Sequence, residues 1–200
     1  MDPTVQRRLI EEVANVVISH ADELTTLDQA IGDGDHGLNM RRGAMAILER
    51  LDDLAAQPLP DALKAAGQTL VMKVGGAAGP LYGTLLMTLG KDLPTVPDRD
   101  DLVRAVGAAV EAVKRIGRSN VGQKTMLDVL APVHEELATG GPGLCDRVRQ
   151  RGAAAADATV PMKAIKGRAS FLGERSVGHM DPGARSASLM IAAACTVMEE

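Results

Sequence analysis

Three carboxylates, Asp28, Asp33 and Asp35, fall within eight residues of one another in the stretch Leu27-Asp28-Gln29-Ala30-Ile31-Gly32-Asp33-Gly34-Asp35-His36-Gly37. A helix would scatter them: at about 100° per residue, Asp28 and Asp35 nearly align while Asp33 points well away. Gly32, Gly34 and Gly37 lift that constraint, because glycine takes φ > 0 freely and the chain can leave a helix after Ile31 and curl until the carboxylates converge. Convergent anions repel strongly unless a cation sits between them, and hard oxygen donors suit Mg2+ or Ca2+. An EF-hand is excluded, since counting from Asp33 its fifth, sixth and twelfth positions hold Gly37, Leu38 and Ala44 in place of Asp or Asn, Gly and Glu. Mg2+ together with a phosphate is the chemistry that remains, because Mg2+ sites commonly combine a few carboxylates with substrate phosphates. An Asp-Gly turn by itself is an ordinary solvated turn, so this reading needs support from the rest of the chain.

Other glycine-rich segments offer it. Gly75-Gly76-Ala77-Ala78-Gly79-Pro80 precedes a helix, where backbone N–H groups and the positive helix end can hold phosphate oxygens. It is not a Walker A loop, because no Gly-Lys-Ser/Thr ends it; a close-packed helix turn is the plain alternative. Gly167 to His179 carries Arg168 and Arg175 between glycines, which suits an anion and equally suits a solvated loop. Asp181-Pro182-Gly183 reads as a helix start, and a further glycine-containing connection begins at Gly117. His20 and His134 lie within helical segments and read as structural or surface residues.

These segments need elements to position them, and the pattern is helix after helix. Asp2 and Pro3 read as an N-cap and first-turn proline, followed by Val5, Leu9, Val13, Val16 and Val17 at helical spacing towards the Asp loop. The periodicity predicts further helices from about Leu38 to Ala55, from Pro60-Asp61, from about Leu81, from a cap at Asp98 or Asp100 through Ile116, from Thr125 to about Ala138, from Leu144 to Ala158, and from Asp181 to near Met198. No convincing period-two strand is present. In an up-and-down bundle alternate connections share one end, so the glycine-rich loops can gather there.

Composition bounds the class. The 200 residues suit one domain over 1–200. Hydrophobic residues make up 46%, yet Trp is absent and Tyr82 and Phe171 stand alone, so the core must be built from Ala, Leu, Val, Ile and Met, which let helices approach closely. A net charge of −4 with both signs interspersed argues against a nucleic-acid partner. The Met-Asp-Pro-Thr start lacks a basic region followed by an apolar stretch, so Cys145 and Cys195 are expected as free thiols in a cytoplasmic protein. No apolar run reaches ~18 residues, so no membrane span is expected.

Taken together and in order, four strings resemble the ADP-binding L subunit of bacterial dihydroxyacetone kinases: Ile31 to Met40, Val74 to Thr84, Lys124-Thr-Met-Leu-Asp128, and Gly167 to Ala184. The resemblance covers the whole chain and implies an all-α fold, an antiparallel barrel of eight helices with the nucleotide at one end. It implies that Asp28, Asp33 and Asp35 bind two Mg2+ ions bridging to the phosphates of ADP or ATP. By the same resemblance His36, Gly37, Leu38 and Asn39 line the nucleotide, Ala77 and Ala78 lie against phosphate, and Met126 and Leu127 pack on adenine. Gly117, Arg168 and the Asp181-Pro182-Gly183 turn complete the pocket.

The reaction implied is a relay. ADP stays bound, is rephosphorylated in place by a phosphohistidine-carrying phosphotransferase subunit, and passes the group to a ketose held on a separate K subunit. Alternatives within the same resemblance are a subunit that exchanges ATP with solvent and serves another ketose such as erythrulose, and a nucleotide-loaded regulatory module docking on a transcription factor. A homodimer is compatible with each of these. One departure stands out: the family usually carries Ser where this chain has Ala78, and Ala cannot donate a side-chain hydrogen bond to phosphate.

Overall fold

The computed structural model describes residues 1–199, and among these the regular structure is helical throughout. The elements are α1 (Pro3–Ser19), α2 (Ala21–Ile31), α3 (His36–Leu48), α4 (Leu51–Ala56), α5 (Leu59–Lys73), α6 (Ala78–Asp92), α7 (Arg99–Gly117), α8 (Leu127–Thr139), α9 (Leu144–Ala158) and α10 (Pro182–Glu199). A 3-10 segment, Arg168–Ser176, bends at Gly173.

The helices close into a ring. Each of α5 to α10 packs on the next, α10 packs on α1, α1 on α3, and α3 on α5. Eight staves therefore enclose the core, with α1 and α2 forming one stave broken at His20 and α4 a short bridge outside the count. The expected helix from Leu38 to Ala55 is in fact two, split at Glu49-Arg50. Local chemistry explains some of the starts. The Asp2 carboxylate accepts from Thr4 and Val5 N–H, and Asp98 and Asp101 form a reciprocal capping box at the start of α7.

Small side chains set the packing. Ala105, Ala109, Leu24, Leu54, Leu127 and Val129 are wholly buried, and a Cβ on Gly83 would come within 2.8 Å of the Gly67 carbonyl, so α5 and α6 touch backbone to backbone. The interior is not filled completely: an apolar cavity of about 320 Å3 lies between α1, α3, α5, α6 and α10, walled by residues such as Leu9, Val13, Leu63, Leu86 and Ile191. Among the described residues no helix is long and apolar enough to cross a membrane, and both cysteines are free.

Candidate nucleotide and metal site

One end of the ring collects the connections α2–α3, α5–α6, α7–α8 and α9–α10, and a cleft opens between them. Its first wall is the Asp loop. Asp28 sits in the last turn of α2, buried, and its Oδ2 accepts the N–H groups of Asp35 at 2.9 Å and His36 at 3.1 Å. Those two bonds pull the loop back over the helix end. The turn requires glycine: Gly34 has φ +76, and a Cβ on Gly32 would stand 2.1 Å from Asp28 Oδ1. One oxygen from each of Asp28, Asp33 and Asp35 then lies within 4.8 Å of the others. Carboxylate oxygens so arranged fit a hard divalent cation. The cationic neighbour present is Arg168, whose Nε is 3.0 Å from Asp33 Oδ2.

The second wall is the α5–α6 turn. Ala77 and Ala78 line the cleft where α6 begins, and no side chain caps that helix start. Its first-turn N–H groups are therefore open to an anion. Asn39, buried on α3, braces the turn: a Cβ on Gly75 would meet Asn39 Oδ1 at 2.8 Å. Across the cleft, Met126 precedes α8 and adjoins Gly183 at the start of α10.

Behind these walls runs a buried polar chain. His36 Nε2 lies 3.0 Å from Ser186 Oγ, which lies 2.7 Å from the hydroxyl of Tyr82, itself 3.1 Å from the Gly183 carbonyl. Burial pushes the His36 imidazole below its ordinary value, against the pull of Asp28 and Asp35. Asp181 caps α10 by accepting the Ala184 N–H at 2.7 Å. Burial, with Asp128 adding repulsion, raises its carboxyl from 3.8 to about 7. The folded state thus holds this proton where the unfolded chain has lost it. The protein's stability should fall as pH rises from about 4 to about 7, the window between those two values. Thermal melts of the metal-free protein check this; Asp181→Asn, which can still cap, should flatten that slope.

Sequence reasoning did not single out Lys124 as a site residue. It is almost wholly buried at φ +61, a backbone region that L side chains rarely adopt. Its ammonium shares three N–H donors among the carbonyls of Thr159 (2.9 Å), Met162 (3.0 Å), Ser176 (2.8 Å) and His179 (2.5 Å), with Val160 at 3.4 Å. One cation thereby ties the whole α9–α10 connection to the start of α8. Asp128 completes the knot by accepting the Gly122 and Thr125 N–H groups. Lysine before a helix gives no warning of such a cage, because the acceptors lie 35 to 55 residues away.

The cleft brings together Asp28, Asp33, Asp35, His36, Asn39, Ala77, Ala78, Met126, Arg168 and the Asp181-Pro182-Gly183 turn. Four other expected residues do not line it. Gly37 packs against α2, where a Cβ would meet the Ala21 carbonyl at 1.9 Å. Leu38 faces outward and is exposed, Leu127 is wholly buried in the core, and Gly117 ends α7 against Ser119 and Leu81.

A family model described as the DAK2 domain matches residues 30–196. The chain belongs to the DAK2 family. Among its curated relatives, the PEP-dependent dihydroxyacetone kinase 1 ADP-binding subunit of Listeria innocua is 46% identical over 169 residues, 84% of this chain and 82% of that protein. The corresponding subunit of Escherichia coli is 38% identical over 188 residues, 88% of each. Among solved structures, the dihydroxyacetone kinase of C. freundii in complex with AMP-PNP and Mg2+ shares the fold. Its TM-score is 0.79 at 24% identity, covering 98% of this chain and 34% of that one. The DAK2 matches span all four cleft-forming connections.

Proposed function

We propose that this DAK2 chain is the nucleotide-holding subunit of a two-component ketose kinase, binding ADP or ATP through Mg2+ and working with a separate K-type subunit that holds the ketose. The observation that carries this is the cleft itself, which sets three converging carboxylates beside an uncapped helix N-terminus. The relatives named as ADP-binding subunits support it, as does the fold shared with a kinase solved with AMP-PNP and Mg2+.

In this reading Asp28, Asp33 and Asp35 hold the metal, two ions being the number that family resemblance implies. When bound, Mg2+ and ADP supply charge neutralisation and a carrier for a phosphoryl group passed from a phosphohistidine donor to the ketose. The chain's residues do the positioning. The first turn of α6, from Ala78, offers N–H groups to phosphate oxygens, while Met126 and the Pro182-Gly183 turn supply the apolar surface on which a base can lie. Arg168, already paired with Asp33, is placed to meet further negative charge entering the cleft. Ala78 contributes backbone only, where a serine hydroxyl would add a charge-assisted hydrogen bond worth about 1.5–3 kcal/mol.

The cleft pairs carboxylates and an uncapped helix start, groups that suit the metal and phosphates of a nucleotide, and in this reading the ketose is held on the separate subunit. The purified chain with Mg2+ and ATP should therefore phosphorylate no dihydroxyacetone, and adding a K-type subunit should give at least one turnover from bound ATP. A coupled assay measures both. Steady phosphorylation by the chain alone contradicts the division of labour proposed here.

A further inference from the structure

We infer that Phe171 and the cationic loop around it form the docking face for the ketose-holding subunit; this rests on the kinase reading above. Phe171 is the single phenylalanine of the chain and is 88% exposed. An isolated exposed apolar residue is ordinary on a protein surface. This one differs in how firmly it is presented. On one side of it Ala169 and on the other Leu172 pack with Ile31 and Ala164 in a small core of their own. Ser176 Oγ accepts the Ala164 N–H at 2.9 Å, and the Lys124 ammonium grips the carbonyls of Met162 and Ser176. The loop is thus held from within while the ring is held out in water. Such preorganisation is what an interface anchor needs, because little further ordering is lost on association.

Position and charge select the occupant. Lys166, Gly167, Arg168 and Ala169 line the nucleotide cleft, so Phe171 stands on its rim, two residues beyond its wall. In the kinase reading a ketose must reach the phosphates through the mouth of this cleft, so whatever carries the ketose must close on its rim. From 163 to 175 the loop carries Lys163, Lys166, Arg168 and Arg175 against Glu174 alone. Lys163 pairs with Glu174 and Arg168 with Asp33, leaving Lys166 and Arg175 without an ion pair among the described residues. The partner surface that fits is an apolar pocket for the ring, bordered by carboxylates.

Calorimetric titration of the Mg2+·ADP-loaded chain with a K-type subunit tests this, using Phe171→Ala, Arg175→Glu and the remote Val96→Ala on the exposed α6–α7 connection. Phe171→Ala should weaken the complex at least about tenfold. Arg175→Glu should weaken it in a salt-dependent manner, and Val96→Ala should not. ADP affinity should stay at the wild-type value in all three. A complex as tight in Phe171→Ala as in wild type, or no complex with wild type at all, overturns the inference. So does a change in self-association of the chain alone, which would make the face a contact between copies. Failure of the wild-type chain to bind Mg2+·ADP would instead strike the proposed function, whatever Phe171 does.

Discussion

Asp35→Asn and Asp33→Asn should each abolish Mg2+-dependent ADP binding, lowering affinity by at least about two orders of magnitude, or ~2.8 kcal/mol, with the helical circular dichroism unchanged. Each substitution removes the charge of one of three carboxylates whose oxygens lie within 4.8 Å of one another, and a neutral amide oxygen is a weaker partner for a dication that must also neutralise phosphates. The two variants should differ before any ligand is added. Asp35→Asn relieves repulsion in the metal-free loop and should melt slightly higher, whereas Asp33→Asn also deprives Arg168 of its partner at 3.0 Å and should gain less. Asp28 is a poor choice for this test, because its carboxylate also holds the Asp35 and His36 N–H groups and thereby the loop itself. Isothermal titration showing wild-type affinity in either variant would remove the metal assignment.

Lys124→Met should cost about 3–5 kcal/mol of stability, a large share of what a domain of this size has. The substitution keeps most of the stem's volume and removes the three N–H donors that the carbonyls of Thr159, Met162, Ser176 and His179 share in a buried place, and three lost bonds at about 1–1.5 kcal/mol each make up that loss. Lys124→Arg should not restore the loss, since a planar five-donor fork does not fit a cage built around one point of charge. Urea denaturation measures the effect. A loss below about 1 kcal/mol would show that the α9–α10 connection does not depend on this cation. Because that connection carries Arg168 and ends at Asp181, ADP affinity should fall in parallel with stability.

How much of this was legible beforehand follows a physical line. The helix starts at Asp2, Asp98 and Pro182 were readable because caps and prolines act on their own backbone. Convergence of the carboxylates was readable because Gly32 and Gly34 sit between them. The break at His20 was not: no proline or glycine marks it, and α1 and α2 both pack on α3 and α10. The 3-10 segment at Arg168–Ser176 read as loop, since what holds it is the distant Lys124 and a small core with Ile31. Leu38 and Leu127 were placed beside the nucleotide by resemblance, yet their neighbours in the motif turn inward to the cleft while these two turn to solvent and core.

The ring of staves has a seam where α10 meets α1, the two helices farthest apart in sequence. Contacts of that separation close the longest loop in the chain and carry the highest closure cost. Without them the ring would be an open trough with an apolar inner face. Barrel closure and cleft completion thus share one element, α10, which begins directly after Asp181 and packs on α1. Any ligand of the cleft binds the closed ring in preference to the open one, and by mass action it acts as a clasp on the seam.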